Sequence, residues 1–124
     1  MKAVINAAGI ASMNMAVTTD ESTVNKLIST NLMGTIYCCK LFATLLLRRK
    51  IVNFINFSTI AVHLALKGES LYAASKAGVE TFSRTFVREM ADFNIRVNFI
   101  APGPIKTDLL RGIGDSQIKR LQIN

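Results

Sequence analysis

The chain has 124 residues, of which half are hydrophobic and 19% are charged. This length leaves no room for a second full domain, since domains most often have about 100–150 residues, and the composition excludes a disordered or collagen-like chain. Fifteen Lys and Arg against eight Asp and Glu give a formal charge of +7. Because aromatic residues do not alternate with the basic ones and no binding motif is present, we expect no nucleic-acid partner. The sequence therefore predicts one domain over residues 1–124.

The first half of the chain predicts one short strand and one long helix. Residues 3–6 are apolar and end in Asn-Ala-Ala-Gly, which favours a strand followed by a loop. From about Asp20 to Arg49, apolar residues recur at spacings of three and four, which is typical of one helix face. Polar residues from Thr18 to Ser22 are candidates to cap this helix at its amino terminus.

The second half predicts two more strands around a second helix. Residues 51–57 are β-branched and aromatic, with apolar side chains on both parities, as expected of a strand covered on both faces of a parallel sheet. Residues from Tyr72 to about Ala91 form an amphipathic pattern, with Glu80 on the polar face. Residues 95–100 predict the third strand, and a short helix is expected around residues 116–121.

This alternation of strands and helices predicts the fold class. Strand, helix, strand, helix, strand with short connections indicates right-handed βαβ units, and therefore an α/β fold with a doubly wound parallel sheet. Ligands of such sheets bind at the carboxyl ends of the strands. We therefore expect the functional loops at residues 6–9, 58–71 and 101–107.

The cysteines and the amino terminus indicate where the protein is made. Cys38 and Cys39 are neighbours and cannot link distant segments, which favours a reducing compartment. Asn6, Gly9 and Asn14 interrupt the apolar run that a signal peptide would need. No segment has the roughly 18 uninterrupted apolar residues of a membrane span. The sequence predicts a cytoplasmic protein without a membrane partner.

One pair of residues suggests proton chemistry. Tyr72 and Lys76, in Tyr-Ala-Ala-Ser-Lys, are four residues apart at the start of the second predicted helix and so share one face. A nearby ammonium favours the phenolate and is expected to lower the pKa of Tyr72 from its usual value of about 10. The pair is then a candidate proton donor and acceptor. The alternative is an ordinary Tyr and Lys on the first turn of a surface helix.

Other motifs accompany this pair in a fixed order. Asn31 lies on the apolar face of the first predicted helix, and Ser58 and Thr59 follow the second strand. Together with Asn-Ala-Ala-Gly after the first strand and Pro-Gly-Pro-Ile-Lys-Thr after the third, they resemble the short-chain dehydrogenase/reductase family of NAD(P)-dependent oxidoreductases. The likeness runs from residue 2 to about residue 110. Several stretches are similar to bacterial 3-oxoacyl-acyl-carrier-protein reductases.

The resemblance implies a role for each catalytic residue. Tyr72 would be the general acid/base, and Lys76 would lower its pKa and bind the nicotinamide ribose hydroxyls. Asn31 would hold a water in the proton relay. A further hydroxyl, about 12–14 positions before the tyrosine, would hydrogen-bond the substrate carbonyl. Thr59 is the preferred candidate for that hydroxyl, and Ser58 is the alternative.

The resemblance also implies the cofactor and the substrate class. NAD or NADP would be the cofactor, and a small molecule with a carbonyl or alcohol group would be the substrate. Ala7 replaces the second Asn of the family's Asn-Asn-Ala-Gly stretch. The residues expected at the cofactor are Asn6, Ala7, Ala8, Gly9, Tyr72, Lys76, Pro102, Gly103, Ile105 and Thr107.

By the same resemblance, the chain corresponds to strands 4, 5 and 6 of a Rossmann-type sheet with their two long helices. The glycine-rich turn that binds the cofactor pyrophosphate in the family, Thr-Gly-x-x-x-Gly-x-Gly, has no counterpart among the 124 residues. We therefore expect a truncated domain that lacks its amino-terminal half. Residues 3–6 are then expected at an exposed edge of the sheet.

Two functions remain open. The first is an oxidoreductase that transfers a hydride between NAD(P)H and a carbonyl or alcohol, of which this chain is the catalytic half. The second is a non-catalytic remnant that only associates with itself or with a partner chain. The two long helices form the dimer interface in the family, which implies a homo-oligomer through residues 20–49 and 72–91.

Overall fold

The structure, a computed structural model, describes residues 3–47 and 52–102. Three strands, β1 (Ala3–Asn6), β2 (Val52–Phe57) and β3 (Ile95–Ile100), form a parallel sheet in the order β1-β2-β3. The predicted α/β fold with a parallel sheet is therefore confirmed. β1 lies at one edge of the described sheet, as expected.

The first predicted helix is interrupted in the structure. α1 (Glu21–Leu27) runs into a π-helical turn, Ile28–Met33, which leads into α2 (Gly34–Leu46). Asp20 caps α1, because its Oδ1 accepts a hydrogen bond from the backbone N–H of Thr23 at 3.1 Å. π-helical turns inside helices occur frequently at functional sites. The prediction of one continuous helix was wrong at this turn.

The second long helix begins two residues earlier than predicted. α3 spans Ser70–Met90, which places Tyr72 on its first turn. A 3₁₀ turn, Ala91–Phe93, follows α3, and Asn94 then adopts a left-handed backbone with φ of 59°. Asn is among the few residues that tolerate this conformation, and here it directs the chain into β3.

α2 and α3 pack on the same face of the sheet. Phe54 of β2 is fully buried there and meets Phe86 of α3 edge to face, with ring centroids 5.8 Å apart. Such aromatic pairs stabilise a core beyond their buried area alone. The buried apolar cluster consists of Val4, Cys39, Ala43, Leu46, Val52, Phe54, Phe86, Ile95 and Val97.

The opposite face of the sheet is more open in the described part of the chain. Ile5 of β1 and Ile100 of β3 are exposed, and Ile55 and Phe57 of β2 are half-buried. We predicted that β2 is covered on both faces of the sheet, but in the described structure only one face of β2 is fully buried. The reason is that both long helices lie on one side.

Three further expectations concern the cysteines, membrane spans and the carboxyl-terminal segment. Cys38 and Cys39 are both free, and burial raises the pKa of the Cys39 thiol to about 11. Within residues 3–47 and 52–102, no helix is both long and apolar enough to cross a bilayer. The short helix expected around residues 116–121 lies outside the described residues.

Candidate active site

One face of α3 carries a row of buried polar residues that includes Tyr72, Lys76, Glu80 and Ser83. Their spacings of four, four and three place them in one row along the helix. Polar groups removed from water need hydrogen-bond partners within the protein. The partners of this row come from the carboxyl end of β2 and the loop that follows it.

Four consecutive residues, Asn56 to Thr59, supply these partners. Asn56 Nδ2 donates a hydrogen bond to Ser83 Oγ at 2.9 Å. Lys76 Nζ donates to the carbonyl oxygen of Phe57 at 3.1 Å. We call these four residues, with the four polar residues of α3, the polar seam.

The two candidate hydroxyls in the polar seam have different partners. Ser58 Oγ donates to Glu80 Oε1 at 2.7 Å. The Thr59 hydroxyl accepts from the backbone N–H of Ala61 at 3.3 Å, and Ala61 belongs to the same buried cluster as Tyr72. Thr59 therefore lies beside the cluster that contains the candidate acid, whereas the Ser58 hydroxyl is bound to a carboxylate.

Asn31, on the π-helical turn, connects the loop after β1 to α3. Its Oδ1 accepts from the N–H of Ile10 and its Nδ2 donates to the carbonyl of Ile10, both at 2.8 Å. Nδ2 also donates to Ser75 Oγ at 3.1 Å, and that hydroxyl donates to the carbonyl of Tyr72 at 2.7 Å. The amide side chain is thus an anchor for the first turn of α3. The water-holding role stays a prediction.

The loop after β1 approaches the same place. A Cβ at Gly9 would lie 3.3 Å from Asn31 Oδ1 and 3.3 Å from Lys76 Nζ. That spacing is tighter than ordinary van der Waals contact, so only a residue without a side chain fits there without displacing one of them. Ala7 and Ala8, next to it, are exposed.

Asn6 contributes from the covered face of the sheet rather than from the loop. Its Nδ2 donates to Asn56 Oδ1 at 2.8 Å and approaches Cys39 Sγ at 3.5 Å. Since Asn56 in turn donates to Ser83, a hydrogen-bonded chain crosses from β1 through β2 to α3. This chain joins the edge strand to the polar seam.

The end of β3 lies beside the loop after β2. The N–H of Ser58 donates to the carbonyl of Ile100 at 2.7 Å, and the N–H of Ile60 donates to the carbonyl of Pro102 at 3.5 Å. The carboxyl ends of β2 and β3 therefore converge at the site, as the parallel sheet predicts. Three sequence-predicted cofactor residues lie outside the described residues: Gly103, Ile105 and Thr107.

Burial dominates the electrostatics of Tyr72 and Lys76, the candidate catalytic pair. It raises the pKa of the Tyr72 phenol, the hydrogen bond with Thr59 lowers it, and the carboxyl of Glu69 raises it further. Burial also lowers the pKa of the Lys76 ammonium. The expectation of a lowered pKa for Tyr72 was therefore wrong for this structure, because the ammonium is directed at the Phe57 carbonyl while burial disfavours the phenolate. A protonated phenol at neutral pH suits a proton donor.

Sequence reasoning missed two buried carboxyl groups near this pair. Glu69, directly before α3, is 2% exposed, and burial raises its pKa to about 7. Glu80 is also 2% exposed, although the amphipathic pattern assigned it to the polar face of the helix. No sequence signal separates these two from solvent-exposed glutamates, because their burial depends on how the loop before α3 and the end of β2 pack.

Comparisons with known proteins agree with this architecture. A family model described as short chain dehydrogenase matches residues 1–118. Carbonyl reductase family member 4 of Xenopus tropicalis is 35% identical over 117 residues, which are 94% of this chain and 50% of that protein. The 3-oxoacyl-acyl-carrier-protein reductase of Chlamydia pneumoniae is 34% identical over 112 residues, which are 90% of this chain and 45% of that protein.

Solved structures show the same similarity. The crystal structure of a short-chain dehydrogenase from Streptomyces avermitilis superimposes with a TM-score of 0.80 and 26% sequence identity, covering 88% of this chain and 40% of that one. The chain spans about half the length of the curated relatives it matches. Since the family model covers nearly all of its residues, the chain belongs to the short-chain dehydrogenase family.

Proposed function

We propose that this chain is the catalytic part of an NAD(P)-dependent oxidoreductase that interconverts a carbonyl and an alcohol on a small molecule. The observation that carries the proposal is that buried Tyr72 lies one helical turn before buried Lys76, whose ammonium donates to the carbonyl of Phe57 at 3.1 Å, two residues before Thr59. Membership of the short-chain dehydrogenase family supports the reaction class.

Tyr72 would donate a proton to the carbonyl oxygen during reduction and take it back during oxidation. Its raised pKa keeps the phenol protonated at neutral pH, which favours the donor role. Thr59 would donate a hydrogen bond to the same oxygen and stabilise the charge that develops there. Ser58 is less suited to this role because its hydroxyl is bound to Glu80 at 2.7 Å.

The described residues fit the ribose end of a nicotinamide cofactor, NAD or NADP. The Lys76 ammonium has three donors, one of which is used by the Phe57 carbonyl, so the others suit ribose hydroxyls. Gly9 leaves Nζ uncrowded, since a Cβ there would lie 3.3 Å from it. The cofactor, when bound, would supply or accept the hydride. Ala7, Ala8 and Pro102 are proposed to contribute backbone atoms.

We also infer a homo-oligomer that forms through α2. Four exposed apolar residues follow one another at intervals of four: Met33, at the end of the π-helical turn, and Tyr37, Leu41 and Leu45 on α2, with exposures of 38% to 63%. A contiguous apolar stripe of this kind is uncommon on the surface of a monomer. We propose that a second copy of the chain packs against this stripe and removes its apolar side chains from water.

Glu69 gives the fold a pH dependence with a definite sign. The pKa of its carboxyl is about 7 in the folded chain, above the ordinary 4.5. Between these two pH values the folded chain binds more protons than the unfolded chain, so the free energy of unfolding decreases as pH rises. Above about pH 7 this loss is complete.

Glu69→Gln should remove that loss, because a neutral amide does not ionise. From about pH 5 to pH 8, the wild-type chain is expected to lose roughly 1–3 kcal/mol of unfolding free energy that the variant retains. Urea unfolding at the two pH values measures this difference. The matched control is Glu89→Gln, which changes an exposed glutamate of α3. Identical pH dependence in wild type and Glu69→Gln would contradict the assignment.

The catalytic roles are tested by joining the 124-residue chain to a segment that carries the family's glycine-rich turn, either fused or separately expressed. Tyr72→Phe should abolish carbonyl reduction, because it removes the proton donor and keeps the ring. Thr59→Ala should lower kcat by about 10²–10³-fold, since it removes a positioned donor. The consumption of NADPH, followed by absorbance, measures both effects.

Tyr37→Phe is the matched control for the phenol, because Tyr37 is 58% exposed on α2. It should leave turnover unchanged, and the affinity for NADPH should be similar in Tyr72→Phe and wild type. Full turnover by Tyr72→Phe would reject the catalytic assignment and would favour the non-catalytic remnant instead.

The homo-oligomer is tested by placing charge on the apolar stripe. Leu41→Glu combined with Leu45→Glu should convert the oligomer to a monomer in sedimentation velocity, because burying two carboxylates is costly. Asn25→Glu, an exposed position on α1 away from this stripe, should leave the oligomer intact. A wild-type chain that sediments as a monomer at high micromolar concentration would reject this part of the proposal.

A further inference from the structure

Glu80 has more partners than an ordinary surface glutamate of a helix. Its Oε1 accepts from Ser58 Oγ at 2.7 Å, and its Oε2 lies 3.2 Å from Arg84 Nη2 and 3.6 Å from His63 Nε2. The glutamate side chain is 2% exposed, whereas those of Arg84 and His63 are 57% and 66% exposed. The carboxylate thus lies between two groups that face solvent and one buried hydroxyl.

An ion pair with Arg84, one helical turn away, does not require this burial. Pairs at this spacing form on exposed helix faces, where water solvates both charges. Removing a carboxylate from water costs free energy unless hydrogen bonds replace the lost hydration. Burial of the Glu80 carboxylate makes the short hydrogen bond from Ser58 possible. The function of the buried carboxylate is therefore to be sought in this hydrogen bond.

We propose that Ser58 and Glu80 position the Thr59 hydroxyl, by fixing the carboxyl end of β2 on α3 so that the next residue meets Tyr72. The proposal rests on the proposed function, in which Thr59 and Tyr72 act on the same substrate oxygen. Ser58 and Glu80 do not touch the substrate in this account. They are positioning residues.

The connections of Ser58 explain how this works. Its backbone N–H donates to the carbonyl of Ile100 on β3 at 2.7 Å, and its hydroxyl is held by Glu80 and lies 3.5 Å from the carbonyl of Lys76 on α3. The residue is therefore held to a strand on one side and to a helix on the other. Because the peptide bond is planar, fixing Ser58 in this way restricts where Thr59 can lie.

Arg84 extends this arrangement to the sheet. Its guanidinium carbon lies 5.2 Å from the centre of the Phe99 ring on β3, which is a cation–π contact. The outer partner of the Glu80 carboxylate is therefore itself held against β3. The same two elements, β3 and α3, fix Ser58 and its carboxylate partner.

The titration of Tyr72 in the full chain reports on the position of Thr59 without requiring activity. The hydrogen bond with Thr59 lowers the pKa of Tyr72, so Thr59→Val should raise it. Ser58→Ala should also raise the pKa of Tyr72, because Thr59 is then no longer held near the phenol. In the Thr59→Val background, Ser58→Ala should cause no further change.

The measurement is the chemical shift of the tyrosine Cζ carbons by NMR as pH is raised. The chain has two tyrosines, and Tyr37, 58% exposed, is the internal reference. Glu80→Ala should raise the pKa of Tyr72, whereas Glu80→Gln, which keeps an acceptor for Ser58, should not. The loss of a negative charge alone would lower the pKa in both variants, so the sign separates the two effects.

Two outcomes separate the failure of this inference from that of the proposed function. If Thr59→Val raises the pKa of Tyr72 while Ser58→Ala and Glu80→Ala leave it at the wild-type value, the positioning role is rejected and the catalytic pair stands. If Tyr72→Phe keeps full turnover, the proposed function fails regardless of the titration. Thr81→Ala, an exposed position on α3, is the control for folding and should match wild type.

Discussion

The placement of the candidate site depends on the hydrogen bond from Lys76 Nζ to the carbonyl oxygen of Phe57, at 3.1 Å. A buried ammonium is tolerated only where protein groups replace its hydration, and the last carbonyl of β2 does so here. The contact fixes the distance between the strand end and α3. The remaining hydrogen bonds of the polar seam, which align Thr59 with Tyr72, are formed at that distance.

Burial connects the fold of this region to its chemistry. The packing that removes the site from water raises the pKa of Tyr72 and lowers that of Lys76, because burial disfavours the charged form of each group, and the phenol therefore keeps its proton at neutral pH. In such surroundings hydrogen bonds are electrostatically stronger, and an unpaired polar group is correspondingly costly. This explains why the row of polar residues on α3 is matched, residue by residue, by residues 56–59. The chemistry and the stability of the site therefore rest on the same contacts.

Sequence patterns predicted the parts of the structure that depend on local periodicity. The apolar run of β2 predicted a strand, and the four-residue spacing of Tyr72 and Lys76 predicted that they share a helix face. The π-helical turn at Asn31 was not predicted, because one extra residue in a helical turn leaves the apolar spacing nearly unchanged. Burial of Glu80 was not predicted either, because it depends on the approach of a distant strand end. The choice between Ser58 and Thr59 depends on the same approach, since neighbouring residues of an extended chain face opposite ways.

Native-state hydrogen exchange at the amide of Ser58 tests most directly whether the end of β2 is held as firmly as this account requires. That amide donates to the carbonyl of Ile100 at 2.7 Å, at the point where the polar seam joins the sheet. If the polar seam is intact, it should exchange with the same opening free energy as the slowest amides in the middle of β2, through global unfolding. Exchange through a local opening of much lower free energy would contradict the account, because Thr59 would then not be held at Tyr72.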